Sequence, residues 1–212
     1  ATNDVRFAVL SDAADSAQVA VAEQIIRNGG TMLLVARSVA AGPLLQRLTG
    51  TQGVSVEEGT VGNYAMLGQI DFQHPIFAPF ADPRFSDFTK IHFWKYRRID
   101  AAALNGARVI ARFDGTGAPP ACLQVPVGAG TLFVLTTSWA PSDSQLALSS
   151  KFIPLLQGML EFSGAIQAQT LQFQVGDIID VATLGVGNGA RVRKPDATEV
   201  NLENGTRFSG AD

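Results

Sequence analysis

The first fifty residues alternate between apolar runs and amphipathic segments, and this alternation constrains the fold more than any other feature. Residues 5–10 (VRFAVL) and 31–36 (TMLLVA) are short apolar runs of the kind that form buried strands. Residues 16–28 between them place apolar side chains on one helical face and end at Gly29, and a second short helix follows, with Pro43 in its first turn. This order predicts an α/β fold with a parallel sheet that helices cover on both faces.

The middle of the chain is irregular and then rich in strand signals. Residues 71–88 (DFQHPIFAPFADPRFSDF) hold three prolines and five of the thirteen phenylalanines. Residues 90–99 (KIHFWKYRRI) are aromatic and β-branched and predict a strand. Further strand-like runs cover residues 107–114, 121–127 and 130–137, and the glycines between them predict hairpin turns.

A polar loop, residues 138–144 (SWAPSDS), joins the last of these strands to a long apolar segment. The apolar residues of this segment recur at helical spacing and would bury one face: Leu148, Phe152, Leu155, Leu156, Met159 and Leu160. Ser142 and Gln145 fit the S-x-x-Q pattern of a capping box, so a helix is predicted to begin at Ser142. Pro154 would remove one helical hydrogen bond, and we therefore expect a kink or a new start near Ser150.

The composition changes near the end of the chain. From Thr170 onward, short strand-like runs are separated by glycine-containing turns and no helix is indicated. We predict an α/β domain over residues 1–166 and the start of a small β-rich module over residues 167–212. The chain begins without methionine and stops without an evident domain end, so we expect a fragment of a longer protein.

Charge and composition exclude several classes of partner and site. The net charge of −3 argues against a nucleic acid as the main partner, because such proteins usually carry a basic surface. No apolar run is long enough to span a bilayer, so any membrane attachment is expected through segments outside this sequence. The two histidines lack the spacing of a zinc site, and we expect neither a metal nor a cofactor.

No side chain has the local sequence of a catalytic nucleophile. Cys122 follows two prolines and lies in an extended run that leads to a hairpin, so a buried and inert thiol is predicted. Ser138 follows a strand and precedes a helical segment, but the glycines of a nucleophile elbow are missing. Carboxylates such as Asp82 and Asp114 fit turn and cap positions, although a pair of them could converge for acid–base chemistry.

A ligand surface remains as a second interpretation of the polar and aromatic residues. His92, Trp94 and Tyr96 lie along one face of the predicted strand. With Lys90 and Arg98, that face could bind an anion, a sugar or a base, or it could be only a cross-strand aromatic face. Trp139 is either a lid over the core or part of a binding surface. The candidate ligand surface comprises His74, His92, Trp94, Arg98, Ser138, Trp139 and Asp143.

Two long blocks carry a family resemblance. Residues 71–99 (DFQHPIFAPFADPRFSDFTKIHFWKYRRI) and 109–156 (VIARFDGTGAPPACLQVPVGAGTLFVLTTSWAPSDSQLALSSKFIPLL) resemble the class I glutamine amidotransferase-like domain of large bacterial BatA-type (aerotolerance regulator) membrane proteins. The pieces HPIF and VGAGTLFVL resemble, more loosely, ThuA-type domains of the same fold. The tail from residue 175 resembles the β-rich segment that follows the domain in that family.

The resemblance implies a flavodoxin-like, three-layer sheet, and the first strand of the domain is expected to lie outside this sequence. It also implies a soluble domain on the periplasmic side of the cell envelope, in a membrane-anchored protein whose catalytic triad is lost. We therefore expect a non-catalytic scaffold or protein-interaction domain, with other envelope proteins or other domains of the same chain as partners. The alternative is a ThuA-like carbohydrate-binding or carbohydrate-active domain.

Overall fold

The computed structural model describes residues 5–166 and, in the tail, residues 178–180, 191–193, 198–201 and 207–209. The chain divides into two compact units, Ala1–Ile166 and Gln167–Asp212. That each unit is a domain in its own right stays a prediction.

Eight strands lie in the first unit. They are β1 (Phe7–Ser11), β2 (Thr31–Val35), β3 (Val56–Glu58), β4 (Leu67–Ile70), β5 (Arg97–Ile99), β6 (Arg108–Phe113), β7 (Pro120–Val127) and β8 (Gly130–Leu135). Six of them form one mixed sheet in the order β1-β2-β8-β7-β6-β4, and β3 pairs with β5 separately. Strands β1, β2 and β8 are parallel, whereas β7, β6 and β4 join as antiparallel strands. The predicted α/β class and the two predicted hairpins, β6–β7 and β7–β8, are confirmed.

Three α-helices accompany the sheet: α1 (Ser16–Arg27), α2 (Ala41–Thr49) and α3 (Phe152–Phe162). Helix α1 begins at a capping box in which the Asp15 carboxylate accepts from the Gln18 N–H and the Gln18 side chain accepts from the Asp15 N–H. Pro43 lies in the first turn of α2, as the sequence predicts. Among the described residues, none of the helices has both the length and the apolar character that crossing a bilayer requires.

Alternate residues of the central strands pack into two separate hydrophobic clusters. Met32 and Leu34 of β2 lie in the cluster that contains Val19, Ala22 and Ile26 of α1 and the buried leucines of α2. Leu33 and Val35 lie in the other cluster, which contains Leu155 and Met159 of α3 and most of the buried phenylalanines. Since successive side chains of a strand point to opposite faces, the two clusters cover the two faces of the sheet.

The phenylalanine-rich segment is irregular in backbone but closely packed in side chains. Phe80 and Phe88 meet edge to face with ring centroids 5.2 Å apart, and Phe77 contacts Phe88 at 6.2 Å. Edge-to-face aromatic pairs contribute about 0.5–1.5 kcal/mol each beyond the area they bury. These rings therefore anchor a segment that has only one short 3₁₀ helix, Ala78–Phe80.

The strand predicted over residues 90–99 is mostly wrong. Only Arg97–Ile99 forms a strand, and Phe93 makes isolated bridges to Ala65 and Ser144. The backbone N–H groups of Trp94 and Lys95 both donate to the Asp143 carbonyl, which turns the chain away from a continuous ladder. The expected single face is broken as a result: Tyr96 is buried, whereas Trp94 is exposed.

The predicted helix start at Ser142 is also wrong. Residues 140–149 form turns and a short 3₁₀ helix, Leu146–Leu148, and α3 begins only at Phe152, close to the new start expected from Pro154. The Ser142 hydroxyl donates to its neighbour Asp143 at 3.0 Å and caps no helix. Leu148, which the helical spacing placed in the core, is 75% exposed.

The described tail residues form strands β9 (Ile178–Asp180), β10 (Arg191–Arg193), β11 (Glu199–Asn201) and β12 (Arg207–Ser209). Strands β10 and β11 pair antiparallel, as do β9 and β12. The strand-like run at residues 171–175 lies outside the described residues.

Gly130, the first residue of β8, offers a test of this packing. A Cβ at this position would lie 2.3 Å from the Ile26 carbonyl oxygen and 2.5 Å from the Gly30 carbonyl oxygen, so α1 and β8 would have to separate. We expect Gly130→Ala to lower the free energy of unfolding by about 1–3 kcal/mol in urea denaturation. Gly62→Ala is the matched control, because its Cβ would meet nothing within 4 Å. Equal stabilities of the two variants would contradict this account.

Candidate functional site

Ligands of open α/β sheets bind beyond the carboxyl ends of parallel strands, and in this fold those ends include the ends of β2 and β8. β8 continues into Thr136, Thr137 and Ser138, all of which are polar and buried. The loop that follows brings Asp143 and Ser144, also buried, back to the same edge.

A buried arginine lies at the centre of this edge. Arg97, the first residue of β5, is 4% exposed. Its Nη1 lies 3.5 Å from Asp143 Oδ2 and its Nε lies 3.2 Å from Glu58 Oε2 of β3. Nη1 also donates to the Ala36 carbonyl at 3.4 Å, and the Arg97 backbone N–H donates to the Thr136 carbonyl at 2.7 Å. Arg97 therefore links the end of β2, β3 and the loop through its side chain, and the end of β8 through its backbone N–H.

Asp143 is the more buried of the two carboxylates that lie beside this arginine. Its Oδ1 lies 3.3 Å from Lys95 Nζ and accepts from the Ser142 hydroxyl at 3.0 Å. Burial raises the pKa of Asp143, but hydrogen bonds from Ser142, Lys95 and Ser138 and the Lys95 charge together hold that pKa below its ordinary value. The carboxylate is therefore ionised at neutral pH.

The hydroxyls of the same edge bond to the backbone. Thr136 Oγ1 donates to the Pro120 carbonyl at 2.8 Å, Thr137 Oγ1 to the Lys95 carbonyl at 2.7 Å, and Ser144 Oγ to the Ser138 carbonyl at 2.8 Å. Within residues 5–166 and the described tail segments, no buried side-chain nitrogen or oxygen lacks a partner. These contacts bind the ends of β2 and β8 to the loop after β8. We call the buried residues that make them the polar joint: Arg97, Thr136, Thr137, Ser138, Asp143 and Ser144.

The structure divides the predicted ligand surface into separate environments. Trp94 and Arg98 are exposed, and His92 and Trp139 are half-buried. His74, Ser138 and Asp143 are buried, so none of the three offers a surface to a ligand. Ser138 and Asp143 bond within the turn after β8 and His74 packs in the core, and a ligand surface formed by the remaining members stays a prediction.

His74 is fixed as a neutral imidazole. The Ile76 N–H donates to its Nδ1 at 3.3 Å, which leaves Nε2 to donate to Gln124 Oε1 at 3.1 Å. Its ring stacks on Phe162 of α3 with the centroids 5.9 Å apart. Burial lowers the pKa of His74, and the hydrogen bond with Gln124 only partly opposes this. His74 is therefore a packing residue with satisfied nitrogens.

The half-buried aromatic residues have different neighbours. His92 stacks on Tyr64 with the ring centroids 3.9 Å apart, and Trp139 contacts Phe152 of α3 edge to face at 5.4 Å. Of the two roles considered for Trp139, these contacts favour the lid over the core. Tyr64 and Arg98 line an open groove of about 530 Å³ beside the β6–β7 turn.

The thiol and the serine lack the features of nucleophiles. Cys122 is buried in the middle of β7, and burial raises the pKa of its thiol to about 12. Ser138 Oγ accepts from the Ala140 N–H at 3.0 Å, so it serves the turn that follows β8. No group of three or more histidine, cysteine or acidic side chains among the described residues is arranged to hold a metal ion.

The sequence did not reveal the central member of the joint, Arg97. The spacing of residues in the strand could have revealed Arg97. It lies two residues before the buried Ile99, so the two side chains share a strand face. An arginine on a buried face requires a buried partner, and that partner, Asp143, lies 46 residues away.

Comparison with known proteins gives the fold only. Neither a protein family nor a curated protein matches the sequence. Among solved structures, the chain is similar to two Salmonella typhimurium proteins, Cytoplasmic Protein STM3548 and, from strain LT2, Cytoplasmic Protein STM1381. The first has a TM-score of 0.54 and 14% identity over 76% of this chain and 72% of that one. The second has a TM-score of 0.55 and 12% identity over 74% and 71%.

A putative ThuA-like protein from Parabacteroides merdae is also similar, with a TM-score of 0.49 and 14% identity over 78% of this chain and 73% of that one. The two Salmonella typhimurium structures support a shared α/β fold, and at such identities they carry no activity across to this chain.

Replacing Arg97 tests the polar joint. We expect Arg97→Leu to lower the free energy of unfolding by about 3–5 kcal/mol, because Asp143 is left buried with only Lys95 as a charged partner. Arg98→Leu, one residue along on the exposed face, is the control and should change stability by less than about 0.5 kcal/mol. Urea unfolding of both variants measures the difference, and similar losses would show that Arg97 holds no joint.

The pH dependence of stability tests the state of His74. Its folded pKa lies below the unfolded value of about 6.5, so the unfolded chain takes up the proton first and stability falls as pH drops through that value. We expect the free energy of unfolding of the wild type to fall more steeply between about pH 7.5 and 5.5 than that of His74→Gln. Equal slopes for the two proteins would mean that His74 is not held neutral.

Proposed function

We propose that this chain is a non-catalytic amidotransferase-like module that acts as a scaffold or protein-interaction domain. The observation that carries the proposal is the closed joint at the carboxyl ends of β2 and β8. There the Arg97 guanidinium, the Asp143 carboxylate and the surrounding hydroxyls bond to each other and to the backbone.

The chemistry of covalent catalysis supports this proposal. A nucleophile requires access to substrate, a base within hydrogen-bond reach and donors for the developing oxyanion. Cys122 is enclosed in β7 with a raised pKa. Ser138 is 2% exposed and accepts a turn hydrogen bond. Both histidine rings face aromatic neighbours, His74 on Phe162 and His92 on Tyr64.

The finer part of the proposal rests on sequence resemblance. Residues 71–99 and 109–156 resemble the amidotransferase-like domain of BatA-type membrane proteins. We propose on that basis a flavodoxin-like, three-layer arrangement and a place on the periplasmic side of the cell envelope. The partners would be other envelope proteins or other domains of the same polypeptide.

The alternative, a ThuA-like carbohydrate-binding domain, retains fewer residues than the sequence suggested. His74 and Ser138 are buried and cannot contact a sugar. Trp94 and Arg98 remain exposed, and Tyr64 offers a ring that His92 supports from one side. A sugar-binding surface would therefore centre on Tyr64 and Arg98 rather than on the loop after β8.

An assay of the purified 212-residue chain tests the proposal. We expect no hydrolysis of glutamine or of p-nitrophenyl esters above the buffer rate, because the described residues present no activated nucleophile. Turnover that Cys122→Ala or Ser138→Ala abolishes, in a variant with wild-type circular dichroism, would overturn it. Binding to a carbohydrate array would favour the alternative if Tyr64→Ala removes it and Phe85→Ala leaves it intact. Both changes remove one exposed aromatic ring.

A further inference from the structure

The two outer edges of the main sheet are built differently. β4 has four residues, contains Gly68, and shifts its register against β6 between Leu67 and Gln69. Short, irregular edge strands of this kind resist pairing with another chain. The β4 edge is therefore protected.

Among residues 5–166, only β2 pairs with β1, and the other side of β1 has no such protection. β1 keeps an uninterrupted parallel register with β2 from Phe7↔Thr31 to Ser11↔Val35. Its sequence, FAVLS, contains no proline, glycine or charge. Val9 at its centre is 47% exposed. Parallel strands are normally covered on both sides and both faces, so an open edge of this composition is unusual.

The backbone of β1 presents hydrogen-bonding groups outward. The Thr31 N–H donates to the Arg6 carbonyl, so by the alternation of a parallel ladder Ala8 and Leu10 face β2. Phe7, Val9 and Ser11 therefore point their N–H and C=O groups away from the sheet.

A groove along this edge is free of charge. It has a volume of about 620 Å³ and lies between β1 and α1. The α1 side presents Ala13, Ala14, Ala17 and Val21, and Val21 is 42% exposed. The remaining lining residues are also apolar or uncharged. A strand added beside β1 would cover this apolar surface.

We propose that the occupant of this edge is β1 of a second copy of the chain, paired antiparallel about a two-fold axis at Val9. Residues with outward-facing backbone must meet each other in such a pair, and the register Val9↔Val9 meets this condition with Phe7 opposite Ser11 of the partner subunit. The two sheets would then continue as one.

Several registers satisfy the backbone hydrogen bonds of the pair, and the positions of charged side chains favour the register Val9↔Val9. It places Arg6, which is exposed, directly opposite Asp12 of the partner subunit, and the two-fold axis repeats the pair at the other end. Asp12 is half-buried and accepts from the Arg37 N–H at 3.2 Å and the Ser38 hydroxyl at 2.5 Å. Each carboxylate oxygen keeps a further acceptor site for the guanidinium.

The neutral groove favours a second copy as the occupant. A two-fold axis brings each residue near the axis against its own copy, so a charged side chain there would face a like charge. The lining of the groove contains no charged residue, and the opposite charges Arg6 and Asp12 lie at the two ends of the strand. The dimer rests on the proposed interaction role and would give that role a surface and a partner. A chain that stays monomeric would exclude the dimer without bearing on catalysis.

Self-association of the 212-residue chain is the first test. We expect sedimentation velocity between about 1 and 200 µM to show a dimer that dissociates on dilution, because a single strand pair with its flanking helices is a small interface. Val9→Lys should abolish the dimer, whereas Val39→Lys, at a position 49% exposed in the turn between β2 and α2, should leave it intact. Arg6→Glu should weaken it by placing like charges opposite each other. A chain that stays monomeric throughout, or a dimer that tolerates Val9→Lys, would overturn the proposal.

Cross-linking tests the register. Only Val9 lies opposite itself in the proposed pair, so Val9→Cys chains should form a disulfide-linked dimer under mild oxidation. Ala8→Cys, which faces Leu10 of the partner subunit, and Val39→Cys should stay unlinked. The native Cys122 is buried and does not compete. Efficient linkage of Ala8→Cys in place of Val9→Cys would refute the two-fold axis at Val9.

Discussion

The buried Arg97 guanidinium is the interaction on which the organisation of this α/β unit depends. It contacts Glu58 on β3, Asp143 in the loop after β8 and the carbonyl of Ala36 after β2, so four separate parts of the chain meet at one side chain. Removing a guanidinium and a carboxylate from water costs several kcal/mol each, and only close partners and additional hydrogen bonds offset that cost. Lys95, Ser142 and the Ala36 carbonyl supply those contacts. The pair therefore specifies where the loops lie more than it adds to net stability.

This constraint also decides what the strand ends can do. In an open α/β sheet the carboxyl ends of the strands are free to bind a ligand when their polar groups point outward. Here Thr136, Thr137 and Ser144 donate their hydroxyl protons to carbonyl groups of the protein itself. A ligand would have to displace these bonds and would leave buried groups unpaired. The same residue types that suggest a binding loop in the sequence act as a joint in the fold, and the surfaces left for recognition lie elsewhere.

The parts of the fold that the sequence predicts are those fixed by local pattern. Strands β1 and β2, helix α1 and the two hairpins follow from apolar runs, 3.6-residue spacing and glycine turns, and each lies close to its expected position. The strand expected over residues 90–99 and the helix expected from Ser142 fail for one shared reason. Both segments approach Asp143, whose carbonyl takes the N–H groups of Trp94 and Lys95 and whose carboxylate pairs with Arg97. No window of neighbouring residues contains that long-range contact.

The scattered acidic residues in the middle of the chain accept hydrogen bonds from backbone N–H groups. Asp82 and Asp87 each accept a backbone N–H from the residue two positions later, and Asp71 does the same for Gln73. Asp114 accepts the Met66 N–H at 2.8 Å across 48 residues of sequence. A segment with little regular secondary structure must satisfy its backbone donors in other ways, and short carboxylates are well suited to that task. The phenylalanines bury the apolar side of the segment while the aspartates complete its backbone hydrogen bonds, so the irregular segment holds a defined conformation against the sheet.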